Sequence, residues 1–136
     1  MPNLTTVEIH KEIDLVQNCI SRMSSSSFNV KGWFITLIAV LFAIENIKIT
    51  NQLLYLIIAL SLVFAFLNSR YIAYERCFRK LYTWNLQKRE EGSRERLYEL
   101  NIKKYFKPKF KDYISIGIIV FYGVPILICI FLLFTM

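Results

Sequence analysis

The sequence has few of the residues on which catalytic and metal sites depend. It contains four glycines, one histidine and three cysteines in 136 residues. Four glycines are a poor supply for a phosphate-cradling loop, and no nucleophile elbow, P-loop, zincin or dinucleotide fingerprint occurs. His10 has no cluster of metal ligands beside it, and the cysteines show neither metal-ligand spacing nor a paired framework. We therefore expect no catalytic residues, no cofactor and no metal site.

Apolar residues, in contrast, make up 55% of the chain and are collected in long runs. A soluble domain of this size buries too small a fraction of its surface to hide them. Three runs, at residues 33–49, 53–67 and 113–136, suit a bilayer core ~30 Å thick. We predict an all-α membrane protein with three transmembrane helices, a cytosolic N-terminal amphipathic helix and a basic helical cytosolic segment.

The N-terminal residues carry a helix signal. Thr5 and Glu8 fit a capping box, in which each side chain satisfies a backbone donor of the other. An apolar seam then recurs every three or four residues, at Ile9, Ile13, Val16, Ile20 and Met23. This seam packs on the chain's own cytosolic part or on another copy, and two to three heptads do not decide between them. The serines at 24–27 favour caps and turns, which predicts a linker before the first span.

Charged and aromatic residues mark the membrane surfaces. Lys31 and Trp33 suit one interface and Lys48 the other. Residues 32–44 rise only ~20 Å as a helix, so the first span begins near Phe28 or continues to Ile49. The polar residues that follow make the first two spans an antiparallel hairpin.

The polar segment at residues 70–112 carries the whole net charge of +7. It holds thirteen lysines or arginines against six acids, whereas the rest of the chain balances to zero. The positive-inside rule places this segment in the cytoplasm. The N-terminus, two spans away, is then cytoplasmic as well, and the C-terminus lies outside.

Periodic aromatic residues predict that the second span continues as one helix through about Gln87. Residues 94–104 are predicted to form another short helix. The organisation that follows is an N-terminal helix and serine linker (1–30), a transmembrane hairpin (31–68), a basic cytosolic segment (69–112) and a third span (113–136).

The basic segment mixes cations with aromatic side chains, which are the two elements of single-stranded nucleic-acid binding. The candidates for binding an anionic ligand are Arg76, Arg79, Lys80, Lys88 and Arg89. A second group, closer to the third span, suits anionic lipid and control of topology; it comprises Lys103, Lys104, Lys107, Lys109 and Lys111.

Three helices of one chain cannot surround a water-filled pore, so a pore requires several copies. Polar residues in or beside the spans would face that pore or a neighbouring helix. These candidates are Thr36, Glu45, Ser61, Ser115 and Tyr122.

Three groups of short motifs resemble a group of short bacterial membrane proteins. The first comprises Arg22-Met23, Ser27-Phe28 and Lys31-Gly32-Trp33; the second is ERCFRKLY at residues 75–82; the third is Phe121-Tyr122-Gly123. In these features the chain is similar to membrane effectors of anti-phage defence, in particular the channel component of Hailong-type systems.

The resemblance implies a homo-oligomeric ion channel, with a tetramer as the expected assembly, in the bacterial inner membrane. It also implies a partner nucleotidyltransferase whose DNA oligomer or nucleotide binds the cytosolic side and keeps the channel silent. It transfers no binding residue, so the five candidate cations rest on local chemistry.

Two other functions fit the same residues. A non-conducting anchor or assembly subunit would hold a cytosolic partner at the bilayer through the amphipathic helix. An unregulated, holin-like pore toxin would permeabilise cells with no regulator present.

Overall fold

A computed structural model describes residues 5–44 and 49–135, and those residues form helices joined by turns, without a strand. The helices are α1 (Thr6–Ile44), α2 (Asn51–Glu90), α3 (Ile102–Tyr105), α4 (Phe110–Tyr113) and α5 (Ile116–Thr135). Three of them, α1, α2 and α5, are long and apolar enough to cross a membrane. The predicted all-α class with three candidate spans is confirmed.

Helix α1 begins at the predicted capping box. The backbone N–H of Thr5 donates to the Glu8 carboxylate at 3.0 Å, and the Glu8 N–H donates to the Thr5 hydroxyl at 3.3 Å. Two of the backbone donors that a helix start leaves unpaired are satisfied in this way.

The predicted linker at residues 24–27 is wrong, because α1 continues through all four serines. One stripe of the helix is buried on both sides of the serines, with Val16 before them and Val30 and Phe34 after them. The residues before and after the serines can be buried on one face only if α1 continues as a regular helix between them. The intrinsic helix preference of serine, at most ~0.7 kcal/mol per residue below alanine, is small against that packing.

Helix α2 confirms the prediction that the second candidate span continues as one long helix, and it extends slightly further than Gln87. Its first turn is capped by Thr50, whose hydroxyl accepts from the Leu53 N–H at 3.2 Å. Its last turn closes with Gly92 at φ +72°, while the Ser93 N–H reaches the Lys88 carbonyl at 3.0 Å. This is the glycine-terminated arrangement in which the backbone reverses at the end of a helix.

Helix α2 is the centre of the molecule. Helices α1 and α5 both pack along it, whereas no Cα of α1 lies within 8 Å of a Cα of α5. Where α1 and α5 meet, they touch through side chains, as in the edge-to-face pair of Phe34 and Tyr122 with ring centroids 5.0 Å apart. At 1.5 Å per residue α1 and α2 are each about 60 Å long, twice the ~30 Å hydrocarbon core. The polar parts of α1 (residues 6–30) and α2 (residues 69–90) therefore extend beyond the apolar candidate spans, and we call these two parts the stalk.

The apolar seam of α1 packs on α2 within this stalk. Val16 is fully buried against Cys77 and Leu81, with Ile20 and Phe78 beside them. Of the two partners left open by the sequence, the seam contacts its own chain.

The predicted helix at 94–104 is wrong. Arg96 and Tyr98 have positive φ angles of 54° and 62°, which a right-handed helix does not permit, and only the four residues of α3 are helical there. The third span also begins later than predicted. Residues 110–113 form the separate helix α4, and α5 starts at Ile116.

Candidate ligand groove and the cations of the stalk

An open groove of about 910 Å³ lies between α1 and α2 on one side of the stalk. Its wall on α1 is polar for most of its length and ends at an aromatic ring near the spans. Its wall on α2 carries the cation. The lining residues are Gln17, Asn18, Ile20, Ser21, Ser24, Ser25, Phe28, Arg79, Tyr82 and Thr83.

Among the described residues that line the groove, Arg79 is the only cation. Its side chain is 63% exposed, and its Nε and Nη2 both donate to one oxygen of Glu75, at 3.0 and 2.7 Å. An exposed pair one helical turn apart is weak, so the guanidinium remains open to a further anion. A guanidinium with hydroxyl and amide side chains around it suits a phosphate group.

Two aromatic side chains complete the groove. Phe28 is 76% exposed, and Tyr82 lines the opposite wall. Exposed rings beside a phosphate-binding cation are the means by which proteins hold a planar base without reading its sequence. The groove therefore presents side chains of the kinds that bind a phosphate and a planar ring in other proteins.

The groove residues on α1 form a stripe that sequence reasoning missed. Gln17, Ser21, Ser24 and Phe28 follow each other at intervals of four, three and four, parallel to the apolar seam. Their spacing was visible in the sequence. A helix that ends at the serines, as the sequence predicts, would not give these four residues a common face.

The other four candidate cations bind elsewhere within the described residues. The Arg76 Nη1 donates to the carbonyls of Lys111, Asp112 and Ile114 at 2.7–3.1 Å. The Lys80 Nζ donates to both carboxylate oxygens of Asp112, at 2.9 and 2.8 Å. These two side chains tie the segment before α5 to α2.

Lys88 and Arg89 lie at the far end of the stalk. The Lys88 Nζ is 2.8 Å from the Glu91 carboxylate, in an exposed pair whose hydrogen bond raises the pKa of Lys88. Arg89 is buried, with a side chain 2% exposed, and faces the equally buried Glu12. The structure therefore brings Arg79 alone to the groove.

The Glu12–Arg89 pair joins α1 and α2 at the far end of the stalk and ties both to the loop that follows α2. Arg89 donates to both carboxylate oxygens of Glu12, at 2.6 and 2.9 Å, and also to the carbonyls of Ser93 and Glu95. The Tyr98 N–H donates to Glu12 at 3.1 Å. A buried ion pair is tolerable only with such additional hydrogen bonds. These bonds use backbone groups of residues 93–98, which explains why that segment is not helical.

Asp112 is held in its charged form. The hydrogen bonds from Lys80 hold the pKa of Asp112 below its ordinary value, and the Lys109 N–H, at 2.8 Å from Oδ2, acts in the same direction against the effect of burial.

The candidate pore residues occupy different environments. Thr36 is exposed on α1 and donates to the Gly32 carbonyl at 3.0 Å, whereas Ser61 is buried and donates to the Ile57 carbonyl at 2.7 Å. Ser115 lies immediately before α5 and Tyr122 is buried inside it. Glu45, like Lys48, lies outside the described residues.

A buried polar layer, also missed from the sequence, crosses the helices near the stalk. Ser27 of α1 donates to the side-chain oxygen of Asn68 on α2. The Asn68 side-chain nitrogen and the Tyr122 hydroxyl are buried and have no hydrogen-bond partner within the described residues. Among those same residues, no cluster of three or more histidines, cysteines or acids is placed to hold a metal ion.

Comparisons of the chain with protein-family profiles, with curated proteins and with solved structures find no match. The resemblance to defence effectors therefore depends on the sequence motifs alone.

Proposed function

We propose that this chain is one subunit of a homo-oligomeric membrane channel that is controlled by a phosphate-bearing ligand, a nucleotide or oligonucleotide, in the groove between α1 and α2. The observation that carries the proposal is the continuity of both helices. The groove separates the two stalk helices, and each helix continues without a break into its span. A ligand that changes the angle between the stalk helices also changes the angle between the spans.

The ligand controls the channel only by binding its two states unequally. The groove allows unequal binding because its two walls are α1 and α2, so its shape changes when the angle between these helices changes. The excess of seven positive charges around the stalk supports a cytosolic position for it and attracts an anion.

Self-association has support on the exposed face of α1. Gly32, Thr36, Ala39 and Ala43 are all exposed and recur at intervals of four, three and four. Small residues at this spacing allow helices of neighbouring copies to approach closely in a membrane. Thr36, the polar residue of this stripe, would then lie in the contact between neighbouring copies.

The first test is ligand binding. Detergent-solubilised protein is titrated with a short, fluorescently labelled, 5′-phosphorylated DNA oligomer and followed by polarisation. We expect Arg79→Gln to weaken binding by about 10- to 100-fold, because a hydrogen bond to a charged group contributes roughly 1.5–3 kcal/mol. Lys88→Gln is the matched control, since it removes the same charge from the same helix away from the groove, and it should leave the affinity unchanged.

Salt dependence tests the number of phosphates engaged. One cation in the groove predicts a slope of log K against log salt of about −0.7, whereas all five candidates acting together would give about −3.5. Equal affinities of Arg79→Gln and the native chain would refute the groove as the site.

Planar-bilayer recording tests the channel. We expect the native protein to pass current that changes when the oligomer is added to the stalk side. Binding without any current would establish the anchor function instead. A current that does not change when the oligomer is added would establish the unregulated pore.

A further inference from the structure

The segment between α3 and α5 presents cations and apolar side chains together at the point where the chain approaches the membrane. Lys107, Lys109 and Lys111 are exposed, and Phe110, between two of them, is 80% exposed. Ile116, the first residue of α5, is 81% exposed. Within the described residues none of these three lysines forms an ion pair.

The segment is fixed to α2, and its acid, Asp112, forms an ion pair with Lys80 of that helix. Arg76 donates to three of its backbone carbonyls, those of Lys111, Asp112 and Ile114, and Lys80 donates to both carboxylate oxygens of Asp112. Asp112 is therefore already paired and does not cancel the neighbouring lysines.

We infer that Lys107, Lys109, Lys111 and Phe110 form a binding site for anionic lipid headgroups of the leaflet in which α5 begins. The phenyl ring of Phe110 enters the boundary between headgroups and acyl chains, and the lysines contact headgroup phosphates. Helix α5 has 20 residues, or ~30 Å, which matches the hydrocarbon core and places the lysines just outside it. A lysine near an anionic surface favours it by a factor of about five.

This site is independent of the groove. Its partner is the bilayer itself, and it operates whether or not the assembled protein conducts. Its cations are also different from Arg79, so the two proposals fail separately.

The test measures lipid preference at position 110. Phe110→Trp is introduced into a chain whose own tryptophans are changed by Trp33→Phe and Trp84→Phe, and the protein is reconstituted in mixed phosphatidylglycerol and phosphatidylcholine. Either lipid carries bromine on its acyl chain, which quenches tryptophan at close range. We expect brominated phosphatidylglycerol to quench with a relative affinity about fivefold or more above that of brominated phosphatidylcholine.

Two charge variants of this reporter decide the cause. K107Q/K109Q/K111Q should abolish the preference, whereas K11Q/K88Q/R94Q removes three charges from the far end of the stalk and should retain it. Equal quenching by both lipids in the reporter, or an unchanged preference in K107Q/K109Q/K111Q, would overturn the inference. Displacement of the preference by millimolar glycerol phosphate would assign the lysines to a soluble phosphate and overturn it as well.

A measurement on the native chain guards against a reporter that does not fold. Mass spectrometry of the intact protein, released from the same lipid mixture, should show retained phosphatidylglycerol in excess of phosphatidylcholine. K107Q/K109Q/K111Q should lose that excess, and a native chain without it would contradict the site.

Discussion

Glu12 and Arg89 are 77 residues apart in the chain, yet both side chains are almost completely buried against each other. Taking two charges out of water costs several kcal/mol each, which their mutual attraction and further hydrogen bonds must offset. The pair therefore sets which part of α1 meets which part of α2, more than it adds net stability.

We predict that Glu12→Ala destabilises the stalk by about 3–5 kcal/mol, because it leaves the buried guanidinium without its counterion. The double variant E12A/R89M should lose far less than the sum of E12A and R89M. The measurement is the free energy of unfolding of each variant in detergent.

The neighbouring pair of Lys88 and Glu91 serves as the control for this cycle. It is exposed and one turn apart, so K88A/E91A should change the free energy of unfolding by less than about 1 kcal/mol. Additive losses in E12A and R89M would show that the two buried side chains do not act as a unit.

The Lys80–Asp112 pair predicts a pH dependence. The pKa of Asp112 is lowered in the folded chain, so the charged form stabilises the fold at pH values above the unfolded pKa, about 3.9. This contribution is lost as pH falls through the lowered folded pKa.

Unfolding of the native chain and of Asp112→Asn, followed from about pH 7 to about pH 2, checks this. The native chain should be the more stable of the two at neutral pH, and the difference should vanish in acid. A difference that stays constant over the whole range would contradict the role of the Asp112 charge.

At the scale of elements, α1 differs most from what its sequence predicts. Local preference indicates a break at the four serines, but the same residues carry groove-lining side chains on one face and the buried Ser27 on another. Continuity of the helix is what gives the proposed ligand a direct mechanical connection to the span.

We predict that Asn29→Pro, placed between the groove and the span, uncouples the two. Proline removes a backbone hydrogen bond from an exposed position of α1 and costs about 3 kcal/mol, which weakens the helix locally. Binding of the DNA oligomer, measured by fluorescence polarisation, should persist. The current in the planar bilayer should no longer change when the oligomer is added.

Asn29→Ala keeps the helix and is the matched control; it should retain both binding and response. A current that still follows the ligand in Asn29→Pro would show that the signal does not pass along α1.

At the scale of the whole molecule, hydropathy and periodicity predict the three candidate spans, the long α2 and the capping box at Thr5. These features depend on residues close together in the chain or on the solvent that each face requires. The direction of the chain across the membrane, which depends on the charge of the stalk, stays a prediction.

The pairing of distant side chains was not predictable in the same way. Periodicity identifies the apolar face of α1 but not the partner of Glu12, since ten lysines and arginines other than Arg89 lie between residues 76 and 109. Charge and position in the chain are all that the sequence offers for identifying the candidate cations. Whether a cation faces the groove, a carbonyl or a buried acid depends on the angle of each residue around α2, which only the packed structure fixes.

The backbone of α2 lies close to every other helix, whereas α1 and α5 have no Cα atoms within 8 Å of each other and meet through side chains alone. A substitution on α2 therefore disturbs several partners together, whereas a substitution on α1 or α5 acts on the other flanking helix only through side chains. Across diverging descendants of this chain, compensating pairs of substitutions should link α2 to each flanking helix more often than they link the two flanking helices to one another.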